Sequence, residues 1–212
     1  MSHKTDFIDF ALQYDALQFG EFTLKSGRVS PYFYNARRFA DGQGLKQIGA
    51  YYAQAILDAN IEFDMLFGPA YAGIPLVCAV AVALADKGRN VPFAFDRKEP
   101  KKHGEGGMLV GAPVEGKVLV IDDVVSAGTA FRSVKPLIED AGGEVAGLAI
   151  QVDRQEKGTT ELSAVQQIQQ EHAIPVISIV NLDDLIAYLS EKGDTQPALL
   201  TAIEAYRQQY GA

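Results

Sequence analysis

The middle of the chain alternates short runs of apolar residues with longer segments whose apolar positions recur at helical spacing. The apolar runs have the length of buried β-strands and comprise residues 63–67, 91–95, 118–121, 144–152 and 174–180. The segments between them favour helices and include residues 73–86, a stretch after Ala130 and residues 163–170. This alternation predicts an α/β fold in which helices cover both faces of a central parallel sheet.

The N-terminal part follows a different pattern. It predicts a helix over residues 6–17 and then a pair of short strands at residues 21–24 and 31–35, joined by a turn. Asp41 has the side chain of a helix N-cap and predicts a helix that runs to about residue 58. We expect this part to form a small hood over the ends of the sheet strands.

The tail, residues 182–210, favours one or two helices. No repeat, low-complexity tract or long linker interrupts the chain. We therefore expect a single domain over residues 1–212. Its hood is expected to consist mainly of about residues 1–40, and the C-terminal tail is a candidate for a further part of the hood.

Composition excludes several classes of function. The chain has 19 Lys and Arg against 27 Asp and Glu, a net charge of -8, so nucleic acid is a poor default partner. Its one cysteine, Cys78, leaves no internal disulfide and fits a reducing compartment. Residues 1–10 lack a secretory pattern, and the longest apolar run, residues 74–85, is too short to cross a bilayer. We expect a cytoplasmic protein without a membrane partner.

The most informative segment begins where the apolar run 118–121 ends. Two adjacent carboxylates, Asp122 and Asp123, follow the predicted strand, and a series of small residues then opens a helix. Ligands of parallel sheets bind beyond the carboxyl ends of strands, and the N–H groups at a helix start attract anions. Carboxylates repel a phosphate but suit vicinal sugar hydroxyls, or a magnesium ion that bridges to them. Residues 122–130 therefore predict a site for a phosphorylated ribose.

Other interpretations of this segment explain less. An ordinary helix start, with Ser126 or Thr129 as cap and both acids solvated, does not account for two acids directly after a buried strand. Residues 111–118 nearly match a P-loop, but they lack its final Ser or Thr and precede a strand. With three His and one Cys, a metal cage built from protein side chains is unsupported.

Two further stretches carry candidate ligand contacts. Residues 97–102 hold four of the 19 basic residues, and three glycines follow by residue 107. This composition predicts a mobile loop that closes over a polyanionic substrate, although a solvated hairpin tip has a similar composition. Residues 68–73 form a glycine-bounded loop between a predicted strand and a predicted helix, and they are a weaker candidate for an anion cradle.

Together these segments resemble the orotate phosphoribosyltransferases, a branch of the type I phosphoribosyltransferase family, over essentially the whole chain. Residues 118–130 are similar to the family signature for PRPP (5-phosphoribosyl 1-diphosphate). Three stretches are similar to signatures of the orotate branch alone: residues 22–28 with 30–35, residues 97–106, and residues 153–156. The resemblance implies the family fold and transfer of the phosphoribosyl group from PRPP to orotate with magnesium. It also implies a homodimer whose mobile loop reaches the partner's site.

The resemblance also implies a role for each matching residue. The catalytic residues would be Asp122, Asp123 and Lys101, of which the two acids hold the ribose diol. The 5′-phosphate would lie against Val124, Val125, Ser126, Ala127, Gly128, Thr129 and Ala130. Other contacts to PRPP would come from Lys25, Tyr71, Ala72, Arg97, Lys98, Lys101 and His103. Orotate would meet Lys25, Phe33, Tyr34, Ser126 and Arg154. Magnesium would arrive with PRPP, in reach of Asp122 and Asp123.

One position departs from the family pattern. The third loop usually reads Tyr-Lys-Gly in this family, whereas here it is Tyr71-Ala72-Gly73, so one cation near the pyrophosphate is missing.

Two other functions share the expected fold. A PRPP-sensing regulator that binds nucleic acid needs a broad basic face, which the net charge of -8 disfavours. A purine phosphoribosyltransferase leaves the N-terminal signature at residues 22–35 unexplained.

Overall fold

The computed structural model describes residues 3–24, 26–101, 107–125, 128–158, 160–192 and 197–212, and for Pro100 and Lys101 it describes the backbone alone. Within these residues the strands are β1 (Leu17–Thr23), β2 (Val29–Tyr34), β3 (Met65–Gly68), β4 (Phe93–Lys101), β5 (Gly107–Gly111), β6 (Gly116–Ile121), β7 (Gly143–Asp153) and β8 (Val176–Asn181). The helices are α1 (His3–Gln13), α2 (Gly42–Ala59), α3 (Gly73–Asp86), α4 (Thr129–Asp140), α5 (Ala164–His172), α6 (Leu182–Glu191) and α7 (Pro197–Tyr210). Across the described ranges, no helix combines the length and the apolar character needed to cross a membrane.

The main sheet has six strands in the order β5-β4-β3-β6-β7-β8. All neighbouring strands are parallel except β4 and β5, which are antiparallel. The predicted α/β fold with a central sheet is confirmed, but the sheet is mostly and not wholly parallel. The apolar pattern does not reveal β5, because glycines at both of its ends leave a run of only three apolar residues at the sheet edge.

The side chains of β6 alternate between two apolar layers. Leu119 and Ile121 join the layer that includes residues of α1, α2, α3 and α6, whereas Val118 and Val120 join the layer with α4 and α5. All four side chains are fully buried. Coverage of both sheet faces explains why this strand is apolar at consecutive positions.

The hood strands β1 and β2 form a separate antiparallel pair. Helix α7 packs against β2, and Tyr206 of α7 meets the Tyr32 ring edge-on, with the ring centres 6.3 Å apart. The chain then enters α2, where Asp41 Oδ1 accepts a hydrogen bond from Gly44 N at 2.6 Å and acts as the predicted N-cap. The N-terminal hairpin and the C-terminal helix therefore adjoin each other beside the main sheet.

Candidate active site

The predicted ribose-phosphate segment lies at the carboxyl end of β6, between β3 and β7. Its backbone remains attached to β7 beyond the last strand residue, because Asp122 N donates to Ala149 O at 3.0 Å and Gln151 N donates to Asp123 O at 2.8 Å. Val124 then forms an isolated parallel bridge with Val152. The neighbouring strand thus determines where both carboxylates leave the sheet.

The two carboxyl groups differ in their surroundings. Asp122 is buried, with 7% of its surface exposed, and Asp123 is half-buried. Asp122 Oδ1 accepts a hydrogen bond from Asp123 N at 2.9 Å. Burial, and then the Asp123 carboxylate, raise the pKa of Asp122 to about 7, while the Asp123 N–H and the Lys98 cation act in the opposite direction. Asp122 is therefore a buried acceptor whose charge the protein compensates only in part, which suits a ligand that brings hydroxyl donors.

The raised pKa of Asp122 makes the stability of the ligand-free protein fall as pH rises. The folded state keeps this proton up to about pH 7, whereas an unfolded Asp releases it near pH 3.9, so the free energy of unfolding decreases between these values. The Asp122→Asn variant is neutral at every pH. We expect the free energy of unfolding of this variant to exceed that of wild type by roughly 2–4 kcal/mol at pH 8 and to equal it near pH 4. Denaturant unfolding at both pH values measures the difference, and a less stable variant at pH 8 would contradict this environment for Asp122.

Helix α4 begins at this site with a glycine. Its N-cap is Gly128, whose φ of 68° lies in the left-handed region, and no side-chain hydrogen bond within the described residues caps the first turn. A Cβ at this position would lie 3.0 Å from Arg132 Nη1, so glycine suits the space as well as the conformation. Thr129 and Ala130 are exposed. Backbone N–H groups at such a helix start bind anions.

The loop after β3 packs against the end of β6. A Cβ on Gly73 would lie 2.8 Å from Ile121 O, so this approach requires glycine. Ala70 N donates to the buried Asp96 Oδ1 at 2.5 Å, which ties the loop to β4, and the Ala70–Tyr71 peptide bond is cis. Tyr71 projects outward with 71% of its surface exposed. The predicted anion loop therefore lies next to the carboxylate pair.

The basic stretch begins as a strand. Arg97 and Lys98 belong to β4, and Lys101 pairs with Gly107 of β5. The prediction of a loop over the whole stretch is wrong for residues 97–101, because pairing with β5 extends the strand into an edge hairpin. Arg97 is half-buried, Lys98 is exposed, and the charge of Lys98 acts on Asp122. Closure of residues 102–106 over a ligand stays a prediction, since they lie outside the described residues.

Strand β2 carries the two aromatic residues predicted to meet orotate. Phe33 stacks on Phe22, with ring centres 5.5 Å apart. Tyr34 directs its hydroxyl inward and donates to Gln151 Oε1 at 2.5 Å, and burial followed by the Asp123 charge raises the pKa of Tyr34 well above its usual value. Because Gln151 N also donates to Asp123 O, the hood is linked to the carboxylate pair through one buried glutamine.

Arg154 follows β7 and is held from three sides. Its Nε donates to Glu156 Oε1 at 2.8 Å, and its Nη2 forms an ion pair with the same oxygen at 2.6 Å. Nη2 also donates to Ser30 Oγ at 3.1 Å, and the guanidinium lies 4.1 Å from the centre of the Tyr32 ring. These contacts place a cation between the hood and the sheet, where a ligand carboxylate can meet it.

Most of the predicted site residues lie at one edge of the sheet, where the parallel strands end. They are Asp122, Asp123, Val124, Val125, Gly128, Thr129, Ala130, Tyr71, Ala72, Arg97, Lys98 and Arg154, with Phe33 and Tyr34 in the adjoining hood. Lys25, His103, Ser126 and Ala127, and the side chain of Lys101, lie outside the described residues.

Two buried polar residues at this edge were not among the predicted site residues. Asp96 anchors the loop after β3, and Gln151 joins Tyr34 to the carboxylate segment. In the sequence each is a polar residue next to or within an apolar strand run, and that pattern is the signal that points to them.

Comparison with known proteins agrees with this arrangement. The sequence profile of the family described as phosphoribosyl transferase domain matches residues 37–178. The orotate phosphoribosyltransferase of Saccharophagus degradans is 56% identical over 99% of this chain and 98% of its own length. That of Pseudomonas aeruginosa is 52% identical over 99% of both. The crystal structure of the Francisella tularensis orotate phosphoribosyltransferase aligns with a TM-score of 0.90 at 43% identity, over 98% of this chain and 100% of that one.

Proposed function

The chain belongs to the phosphoribosyltransferase family and, within it, to the orotate phosphoribosyltransferases, and from this premise we propose that it transfers the 5-phosphoribosyl group of PRPP to orotate. The products are orotidine 5′-monophosphate and pyrophosphate, in pyrimidine biosynthesis. The observation that carries the proposal is a single sheet edge that holds a carboxylate pair, a helix start with glycine as its N-cap and the Arg154 guanidinium.

The two ends of the segment 122–130 bind different groups of PRPP. The ribose diol donates to the carboxylates of Asp122 and Asp123, and these hydrogen bonds satisfy the acceptor that burial leaves undercompensated. The 5′-phosphate takes backbone N–H groups within residues 124–130 at the start of α4, away from the like charge of the acids. This orientation presents the anomeric carbon toward Arg154 and the hood.

Orotate lies between the hood and the end of β7. Its carboxylate pairs with Arg154, whose planar fork matches a carboxylate, and whose position between Glu156 and Tyr32 is already defined without ligand. Phe33 and Tyr34 line the ring, and we include Lys25 and Ser126 by their match to the family signature.

Cleavage of the bond to pyrophosphate leaves positive charge on the ribose and negative charge on the leaving group. Catalysis therefore needs neutralisation of the leaving group and no nucleophilic side chain. Arg97 and Lys98 both lie on β4, and the charge of Lys98 acts on Asp122. We assign Lys101 and His103, farther along the same stretch, to the pyrophosphate, with Tyr71 and Ala72 on the opposite loop. Lys101, Asp122 and Asp123 are the proposed catalytic residues.

A magnesium ion fits this site together with PRPP. Among the residues that the structure describes, no group of three or more His, Cys, Asp or Glu side chains is placed to hold a metal ion. Mg²⁺ usually takes one or two carboxylates along with substrate phosphates and water, and Asp122 and Asp123 provide the carboxylates. When bound, the ion neutralises charge on the departing pyrophosphate.

Ala72 stands at the N-cap of α3, where the family pattern has lysine. Restoring the cation with Ala72→Lys is expected to lower the KM for PRPP by roughly 10- to 100-fold, the effect of one charge-assisted hydrogen bond of about 1.5–3 kcal/mol. Steady-state kinetics with varied PRPP measure it. The exposed Ala85→Lys at the other end of the same helix is the control for added charge. Equal constants for wild type and Ala72→Lys would refute the assignment.

We propose that the chain folds as one phosphoribosyltransferase domain. We also propose that two copies of this domain form a homodimer. The outer side of α3 and the loop before it expose two large apolar side chains, Val82 at 65% and Tyr71 at 71%, and we assign Val82 to the dimer interface. Sedimentation equilibrium is expected to give about twice the chain mass of 22.9 kDa, and Val82→Glu is expected to restore the monomer. A monomeric wild type would contradict the dimer.

The single cysteine supports a cytoplasmic location.

One assay tests the proposed reaction against its alternatives. Protein, PRPP and magnesium are mixed with orotate, adenine or hypoxanthine, and the loss of base absorbance is followed. Loss with orotate alone is the expected result. Loss with a purine in place of orotate would indicate a purine enzyme, and no loss with any base at high protein concentration would favour a PRPP-sensing regulator.

A further inference from the structure

The last residues of the chain form a short extra strand on the loop that carries Arg154. Lys157 N donates to Tyr210 O at 2.8 Å, and Ala212 N donates to Gln155 O at 2.9 Å. Between these two bonds, Glu156 and Gly211 form an antiparallel bridge. The backbone of residues 155–157 is therefore held from outside the sheet by residues 210–212. We call residues 206–212, which include these three, the terminal segment.

Two carboxylates also fix this loop, because Gln155 N donates to Asp153 Oδ1 and Gln155 Nε2 donates to Asp183 Oδ2, both at 2.9 Å. Gln155 adopts a φ of 50°, in the left-handed region that residues other than glycine rarely occupy. The next residue, Glu156, supplies the carboxylate that accepts a hydrogen bond from Arg154 Nε and forms an ion pair with Arg154 Nη2. A loop that relaxed to ordinary backbone angles would move Glu156, and Arg154 would lose the partner that sets its orientation.

The side chains of the terminal segment enclose the same ion pair. Arg28 lies 3.8 Å from Glu156 Oε2 and stacks over the Tyr210 ring at 4.8 Å. Tyr206 is buried. Burial, and then the Glu156 charge, raise the pKa of Tyr206, whereas the Arg154 cation acts in the opposite direction. The ring of Tyr206 also supports Tyr32, on which Arg154 rests.

We propose that the terminal segment positions Arg154 and thereby sets the affinity of the site for the carboxylate of orotate, an inference that rests on the proposed function. The segment makes no contact with the carboxylate pair or the start of α4 among the bonds described above. Its disturbance should therefore weaken orotate binding and leave PRPP binding intact, a selectivity that general loss of stability does not produce.

A single methyl group tests this role. A Cβ on Gly211 would lie 2.5 Å from Arg207 O, so Gly211→Ala displaces the terminal segment, whereas a Cβ on Gly42 meets nothing within 4 Å, so Gly42→Ala is the matched control. We expect Gly211→Ala to raise the KM for orotate on the order of tenfold, as loss of one charge-assisted hydrogen bond does. We expect the KM for PRPP to change less than about twofold, and Gly42→Ala to resemble wild type.

A chain ending at Tyr210 decides the question if Gly211→Ala does not fold, since the deletion removes the bond from Ala212 N to Gln155 O and the Glu156–Gly211 bridge without a steric clash. A wild-type KM for orotate in the displaced or shortened protein would overturn the inference, and so would an equal rise in both KM values. An inactive wild type would instead defeat the proposed function, and this inference with it. The wild-type assay thus separates the two failures.

Discussion

Replacing both acids of the site, with Asp122→Asn and Asp123→Asn in one protein, is expected to lower kcat/KM for PRPP by about 10²- to 10⁴-fold. Each substitution removes a charged acceptor for a ribose hydroxyl, and each such hydrogen bond contributes about 1.5–3 kcal/mol. The amides keep the shape of the carboxyl groups, so the backbone bonds of Asp122 N and Asp123 O to β7 remain. Steady-state kinetics with orotate saturating and PRPP varied measure the loss.

The control for this double variant lies at the other end of α4. Glu139 and Asp140 are also adjacent acids, and both are exposed. Glu139→Gln with Asp140→Asn removes the same two charges away from the site and is expected to keep kcat/KM within about twofold of wild type, as is usual for surface substitutions. Similar losses in the two double variants would show that net charge, and not the carboxylate pair, governs activity.

Arg154→Gln is expected to lower kcat/KM for orotate by about a hundredfold while the KM for PRPP stays near wild type. The substitution removes the fork that pairs with the orotate carboxylate, an interaction at the upper end of the range for hydrogen bonds to charged groups. Kinetics with each substrate varied in turn separate the two effects.

Arg89→Gln is the matched control for Arg154→Gln. Arg89 also lies over an aromatic ring, 3.7 Å from the centre of Phe63, and its Nη2 donates to a backbone oxygen at 3.1 Å. It is located before β4, toward the amino ends of the parallel strands and away from the site. Loss of orotate activity in Arg89→Gln, or its retention in Arg154→Gln, would contradict the role of Arg154.

The parts of the molecule that the sequence predicts well are local. Residues 118–121 are apolar at consecutive positions because β6 is buried on both faces, and the two acids follow it directly in the chain. Asp41 caps α2 through a bond to Gly44, three residues away. In such cases the residues that make the structure are neighbours in sequence, so spacing alone reveals them.

The parts that the sequence does not reveal depend on distant partners. Asp96 binds Ala70 N across 26 positions, and Tyr34 binds Gln151 across 117. Arg154 reaches Ser30 across 124 positions. The basic stretch shows the same limit, because its strand conformation at residues 97–101 depends on pairing with β5. Side-chain type indicates a role for each of these residues, but only the fold determines which group each one meets.

The most direct test of the account is a crystal structure of the protein with PRPP and magnesium bound. We expect the ribose diol against the carboxylates of Asp122 and Asp123 and the 5′-phosphate against the backbone of residues 124–130 at the start of α4. Density for PRPP at another place on the protein, with the turn before α4 empty, would contradict the account.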